Sequence, residues 1–223
     1  MKLSKRLQMV ADLVPPGSGV ADIGTDHAYI PIYLVQNEIS DFCIAGDIRK
    51  GPLGRAQKNI AAYGLEGKIK TCLAPGFDGI KAGQAQTGII AGMGGDMIAD
   101  ILKNIPEGMN TIVMQPMTMV DKARRGVHGA GWSITQERLA REGKRLYHVI
   151  VAQDKPQQAY VMEFDYVFSP LLEKDSLYDE FLNQTIQKVE RILKSLKQSG
   201  ESDGRRDYYE RYYWFLQERR RDI

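Results

Sequence analysis

Short apolar runs that alternate with stretches of helical periodicity constrain this chain more than any other feature. Val20 to Gly24, Phe42 to Asp47, Ile69 to Leu73, Gly88 to Ala91 and Thr111 to Met114 read as strands, each bounded by glycine or polar turns. Between them, Ile30 to Val35 and Gly51 to Tyr63 read as helices, the first with Pro31 near its start and the second with Gly64 as its stop. A further helix begins near Asp96 and ends before Pro106. Strands alternating with helices predict an α/β fold around a parallel, doubly wound sheet, and right-handed crossovers leave few topologies. Trp132 to Arg141, Arg145 to Gln153 and Tyr160 to Phe168 then follow as three strand-like runs joined by short turns, which predicts an antiparallel edge. Ahead of all this, Leu3, Leu7, Val10 and Val14 mark one face of a first helix that Pro15-Pro16-Gly17 terminates.

The pattern changes again from Pro170. Leu182, Ile186, Val189, Leu193 and Leu196 form a heptad seam, Gly200 to Gly204 is a polar turn, and Arg206 to Arg221 is a second helix with Tyr209, Tyr212 and Leu216 at matching spacing. An antiparallel, coiled-coil-like helical hairpin is expected, with domains at 1–169 and 170–223. The 30 Lys and Arg against 28 Asp and Glu give a net charge of +2, which excludes a histone-like polybasic protein but not a local basic face. Two cysteines, Cys43 and Cys72, sit in apolar runs and are expected to be reduced and buried. No run is long and apolar enough to span a bilayer, and the N-terminal stretch is broken by Gln8 and Asp12, unlike a signal peptide. A cytoplasmic protein is the expectation.

Ligands of open α/β sheets bind at the carboxyl ends of the strands, so the residues there carry the chemistry. The first strand ends in Asp22-Ile23-Gly24-Thr25-Asp26-His27. That acidic turn with one glycine suits a cationic ligand better than a pyrophosphate, which prefers glycines and bare N–H groups. The three-glycine dinucleotide fingerprint is missing, and S-adenosylmethionine, with its amino group and sulfonium, is favoured. Asp47 ends the second strand, where a carboxylate either accepts ribose hydroxyls or caps the next helix. Phe77 and Asp78 follow the third strand, where a ring can stack an adenine and a carboxylate bond its amino group, or where Asp78 simply forms a turn. Gly92-Met93-Gly94-Gly95-Asp96 follows the fourth. Gln115-Pro116 after the fifth strand either lines a target pocket or ends the strand. A metal held by Asp22, Asp26 and His27 is not expected, because no ligand spacing supports it.

The run Val20-Ala21-Asp22-Ile23-Gly24-Thr25-Asp26-His27-Ala28-Tyr29-Ile30-Pro31 resembles the first motif of the bacterial TrmK family, S-adenosylmethionine-dependent tRNA (adenine-22-N1)-methyltransferases. The resemblance continues through Ala45-Gly46-Asp47-Ile48, Gly76-Phe77-Asp78-Gly79, Ala91-Gly92-Met93-Gly94-Gly95 and Gln115-Pro116. It implies a Rossmann-like class I methyltransferase domain with a helical hairpin, methylating N1 of an adenine in the D-arm region of tRNA. It further implies Asp22, Gly24, Asp26, His27, Asp47, Ile48, Phe77, Asp78, Gly92, Met93 and Gly94 as cofactor-binding residues. Asp26 and Tyr29 are the catalytic candidates, Asp26 to stabilise developing positive charge and Tyr29, with His27, to stack or orient the base; packing is the alternative for Tyr29.

Candidate RNA-holding cations are Lys2, Lys5 and Arg6, the pair Arg124-Arg125, the set Arg138, Arg141, Lys144 and Arg145, and Arg219-Arg220-Arg221 beside Trp214. Each is alternatively a solvated face. Residues 171–223 carry eleven cations and eleven carboxylates, so the hairpin is not basic as a whole; it packs on the main domain, dimerises or grips tRNA by shape. The oligomeric state stays open, with monomer slightly favoured. Two other functions fit the same fold: a small-molecule methyltransferase, and a non-catalytic RNA-binding protein with a vestigial cleft.

Overall fold

The computed structural model describes residues 1–155, 160, 162–199 and 203–221. The chain divides into two compact units, Met1–Tyr160 and Val161–Ile223. In the first, helix α1 (Lys5–Asp12) precedes strand β1 (Val20–Ile23), α2 (Tyr29–Gln36), β2 (Cys43–Asp47), α3 (Lys50–Ala62), β3 (Ile69–Leu73) and β4 (Thr87–Gly94). Helix α4 (Gly95–Ile101), extended by a 3-10 turn, leads to β5 (Thr111–Thr118), α5 (Val120–Gly129), β6 (Ser133–Glu142) and β7 (Arg145–Gln153).

The seven strands form one sheet in the order β3-β2-β1-β4-β5-β7-β6. The five strands from β3 to β5 are parallel, while β7 runs antiparallel to β5 and β6 antiparallel to β7. Strand order therefore reverses at β1, which pairs with β2 on one side and β4 on the other; this is the switch point where a ligand crevice opens. Every residue of β1 and β2 is buried, as central parallel strands covered on both faces require. Helix α1 starts on the Ser4 hydroxyl, which accepts the Leu7 N–H. Helix α3 ends as the sequence predicts: Gly64 N–H bonds Ala61 and Leu65 N–H bonds Ile60, the two contacts of a Schellman motif.

Helix α5 has no counterpart in the sequence reading, because Gly126 and Gly129 dilute its pattern; in the structure Ala123, Arg124, Val127 and His128 line its buried face. The third strand-like run, Tyr160 to Phe168, is corrected. Its described residues from Met162 to Phe168 form consecutive turns, with Asp165 accepting the Met162 N–H at 2.8 Å and Phe168 N–H bonding Phe164.

In the second unit, a 3-10 turn (Pro170–Lys174) precedes helices α6 (Tyr178–Ser199) and α7 (Asp203–Arg221), which pack on each other. Of the heptad seam, Leu182, Ile186, Val189 and Leu196 are buried and Leu193 half-buried, facing a buried Tyr212, Phe215 and Leu216 on α7. Phe164 sits 5.0–5.3 Å from the rings of Tyr208, Tyr212 and Phe215, so the apolar residues that look like a strand serve this aromatic cluster. Of the polar turn expected at Gly200 to Gly204, residues 200–202 lie outside the described residues and Asp203 and Gly204 already belong to α7. The described helices include none long and apolar enough to cross a membrane.

Candidate active site

The turn after β1 is stapled to β2. The N–H groups of Gly24 and Thr25 both bond the Gly46 carbonyl, at 2.8 and 3.0 Å. These amides are thus spent internally and are not offered to a phosphate, in keeping with the acidic rather than anion-binding character of the turn. Gly24 has φ +74°, and a Cβ there would collide with the Met93 methyl group. Met93 thereby lies directly over the glycine, joining the β4 end to the β1 end. Two non-glycine residues follow in the left-handed region, Asp26 at φ +43° and Ala28 at φ +55°. Such backbone costs about 1 kcal/mol or more per residue, and the surroundings hold it: Ala28 is fully buried in the core, and Asn59 of α3 donates to the His27 carbonyl at 3.0 Å.

Asp22 is 4% exposed and accepts the Thr25 hydroxyl at 2.7 Å. Burial pushes its carboxyl up to about 6, opposed by the Thr25 bond and assisted by the charge of Asp47. Asp47 is equally buried; its Oδ1 accepts the Arg49 N–H at 2.8 Å and lies 3.7 Å from Arg49 Nε. It therefore shapes the entry to α3, as a capping residue does. Its Oδ2 accepts no hydrogen bond among the described residues, which leaves an acceptor at the strand end beside an exposed Ile48. Two buried carboxylates on adjacent strands, one pushed toward neutrality, form a pocket chemistry that a cationic ligand with vicinal hydroxyls satisfies.

Asp26, half exposed, is ion-paired with Arg55 of α3 and lies 3.7 Å from His27 Nε2. The pairing with Arg55 is not legible in sequence, because the partners are 29 positions apart. The rings of His27 and Tyr29 stack at 4.9 Å with planes 7° apart, and Tyr29 stays 43% exposed. At the β4 end Gly92 has φ +83° and Gly94 lies close to Asp96. Gly95 packs so tightly that a Cβ would overlap the Met119 carbonyl; its role is to seat α4 on the start of α5.

Several expected roles are corrected. Phe77 is 2% exposed and its ring lies 2.8 Å from where a Gly88 Cβ would stand, so it is core beneath the sheet and has no free face for an adenine. Asp78, one residue on, is exposed. Arg6 is not a free cation: it donates to Gln115 Oε1, lies 3.5 Å from Glu142 and sits 5.6 Å from the Tyr147 ring. Gln115 is fully buried inside β5 rather than lining a pocket after it. Arg124 is fully buried against Glu137 and His148, although Arg125 next to it is exposed. In the second unit Arg219 lies 3.8 Å over the Phe215 ring and 3.4 Å from Asp165. Spacing held the clue to Arg124: Val120, Ala123, Arg124 and Val127 recur at helical intervals, which places it on an apolar face.

A methyltransferase domain model matches residues 3–150. The chain is 32% identical to the Bacillus subtilis tRNA (adenine(22)-N(1))-methyltransferase over 91% of its own length and 89% of that protein's. The chain belongs to this methyltransferase family. M. capricolum TrmK, solved with S-adenosyl-homocysteine, superposes with a TM-score of 0.85 at 29% identity, covering 98% of this chain and 97% of that one. A Streptococcus pneumoniae structure in complex with S-adenosyl-L-methionine gives 0.82 at 29% identity, covering 97% and 99%. The family assignment fits the switch-point carboxylates of this methyltransferase and its seven-stranded, mixed sheet.

Proposed function

We propose that the chain uses S-adenosylmethionine to methylate N1 of adenine-22 in the D-arm region of tRNA, in the cytoplasm. The observation that carries this reading is the pair of buried carboxylates, Asp22 and Asp47, beside Gly24 at the switch point. In this reading Asp47 Oδ2 accepts the ribose hydroxyls and Asp22 faces the cationic amino-acid end of the cofactor. Gly24, Ile48, Asp78, Gly92, Met93 and Gly94 complete the proposed cofactor wall, with Asp78 taking the adenine amino group that Phe77 does not stack. When bound, S-adenosylmethionine supplies a methyl carbon activated by its sulfonium.

Held by Asp22, Asp47 and the glycine turns, the cofactor would offer that methyl group to the N1 lone pair of neutral adenine, and the positive charge would pass to the adenine. No proton needs removing first, so the chain's task is alignment and charge placement. The stacked His27–Tyr29 pair is a platform of the right size for a base, and Asp26, held by Arg55, adds negative potential beside it. N1 lies on the Watson–Crick edge, so the target must be unpaired or turned out before it reaches the site.

Nucleoside analysis of a transcribed tRNA after incubation with labelled cofactor should yield 1-methyladenosine, and a transcript with guanine at position 22 should accept no label. Equal labelling of both transcripts would sink the adenine assignment. Asp22 gives a second test. Its carboxyl is neutral below about pH 6, so cofactor affinity should be flat above about pH 7 and fall by up to about tenfold per unit below 6. Asp22→Asn should remove the slope, measured by calorimetry from pH 5 to 8; affinity independent of pH in the parent protein would refute the role given to Asp22.

A further inference from the structure

We infer that the outward face of α3 is a docking surface for the phosphate backbone of the substrate RNA, resting on the tRNA reading above. From Ile48 to Leu65 the chain carries four cations, Arg49, Lys50, Arg55 and Lys58, and no carboxylate. Pro52, Leu53, Ala56 and Ile60 of α3 are buried, while all four cations are exposed. The helix thus sorts its apolar residues onto the sheet and its positive charge toward solvent, immediately after the carboxylate Asp47 that ends β2.

The four cations divide into two kinds. Arg49 and Arg55 reach back to Asp47 and Asp26, which ties the strip to the candidate active site. Lys50 and Lys58 make no ion pair with any described residue and keep their full charge for a partner. They stand at i and i+8, with Gly54 between them at i+4, so the three form one ridge about 12 Å long.

Glycine is among the poorest helix formers, and Gly51 and Gly54 both fall on this face. A Cβ at either position would meet nothing within 4 Å, so no packing inside the chain accounts for them. Glycine flanked by lysines on a solvent face admits close approach by an external backbone. A polyanion is the partner that two unpaired lysines beside two further cations, with no carboxylate on the helix itself, select, and family membership makes tRNA that polyanion. The acidic crevice and this basic strip share the two ion pairs, so the phosphates are guided past the cofactor pocket instead of into it.

The test compares Lys50→Ala/Lys58→Ala with a control, Lys68→Ala/Lys81→Ala, that removes two exposed lysines elsewhere on the first unit, neither of them ion-paired with any described residue. The α3 variant should bind transcribed tRNA about tenfold more weakly near 0.15 M salt, with the log–log salt slope reduced by about 1 to 2. Cofactor affinity should be unchanged, since neither lysine is among the residues proposed to hold the cofactor. An equal loss in the control, or no loss in the α3 variant, overturns the proposal. Gly54→Gln separates contact from folding: it should raise the melting temperature by improving the helix, yet raise the KM for tRNA several-fold. An unchanged KM would overturn the close approach. Should the parent enzyme leave tRNA unmethylated, it is the proposed function that fails, a result visible before any variant is made.

Discussion

Replacing Arg124 by methionine is expected to cost about 3–5 kcal/mol of folding stability, the usual consequence of stranding one member of a buried ion pair. Arg124 of α5 donates to both carboxylate oxygens of Glu137 on β6, and His148 on β7 meets the same carboxylate at 2.8 Å. Arg124 and Glu137 are fully buried. Burial pushes the Glu137 carboxyl up, but the Arg124 charge and the His148 bond outweigh it and hold the group down at about 2, from an ordinary 4.5. Without the guanidinium, that carboxylate must either stay charged in a medium that cannot solvate it or take up a proton. Urea unfolding of Arg124→Met at neutral pH should show the loss, and adding Glu137→Gln should recover part of it. A stability loss below about 1 kcal/mol in the single variant would mean that the pair is not what anchors α5 to the edge hairpin.

The same pair sets an acid limit. A carboxylate whose folded value is depressed contributes stability above its unfolded value, and that contribution fades as pH falls through the folded value. As pH falls from about 4.5 toward 2 the parent protein should therefore lose stability through Glu137. Arg124→Met should flatten that part of the curve.

The other large effect concerns Asp47. Asp47→Ala should weaken S-adenosylmethionine binding by about tenfold to a hundredfold, the worth of a charge-assisted hydrogen bond or two to the ribose. Alanine also removes the acceptor of the Arg49 N–H, so a second variant is needed. Asp47→Asn keeps an acceptor for the Arg49 N–H and the entry to α3, while it removes the charge and turns the Oδ2 acceptor into an NH2 donor. It should retain the parent's melting temperature yet still bind cofactor several-fold more weakly. Calorimetry decides the matter: unaltered binding in both variants would withdraw Asp47 from the ribose.

The contrast between these two predictions shows where the sequence is readable. Asp47 is identifiable because local rules place it: an apolar run ends, a carboxylate follows, and a helix begins. The parallel sheet, its antiparallel edge and the paired C-terminal helices are legible on the same grounds, as periodicity and turn residues act over a few positions. Arg124 defeated this reasoning. Adjacent to Arg125 it looks like half of a basic patch, yet its partners lie 13 and 24 residues downstream on an antiparallel edge. Phe77 defeated it in a related way. Asp78 beside it faces solvent, while its own ring turns under the sheet against Gly88.

What the amino-acid sequence determined by itself was the succession of strands and helices from α1 to β5, the glycine turn at Gly24 and the carboxylates at the strand ends. Each follows from local propensity and from covalent spacing along one short stretch of chain. What only the tertiary structure decided was which charges are free. Arg6, Arg124 and Arg219 are drawn inward by carboxylates and rings remote in sequence, whereas Lys50 and Lys58 remain exposed because the carboxylate that folds onto α3, Asp26, pairs with Arg55 instead. The free energy of a charge depends on the dielectric and the counter-charges around it, and those are fixed only when distant segments meet.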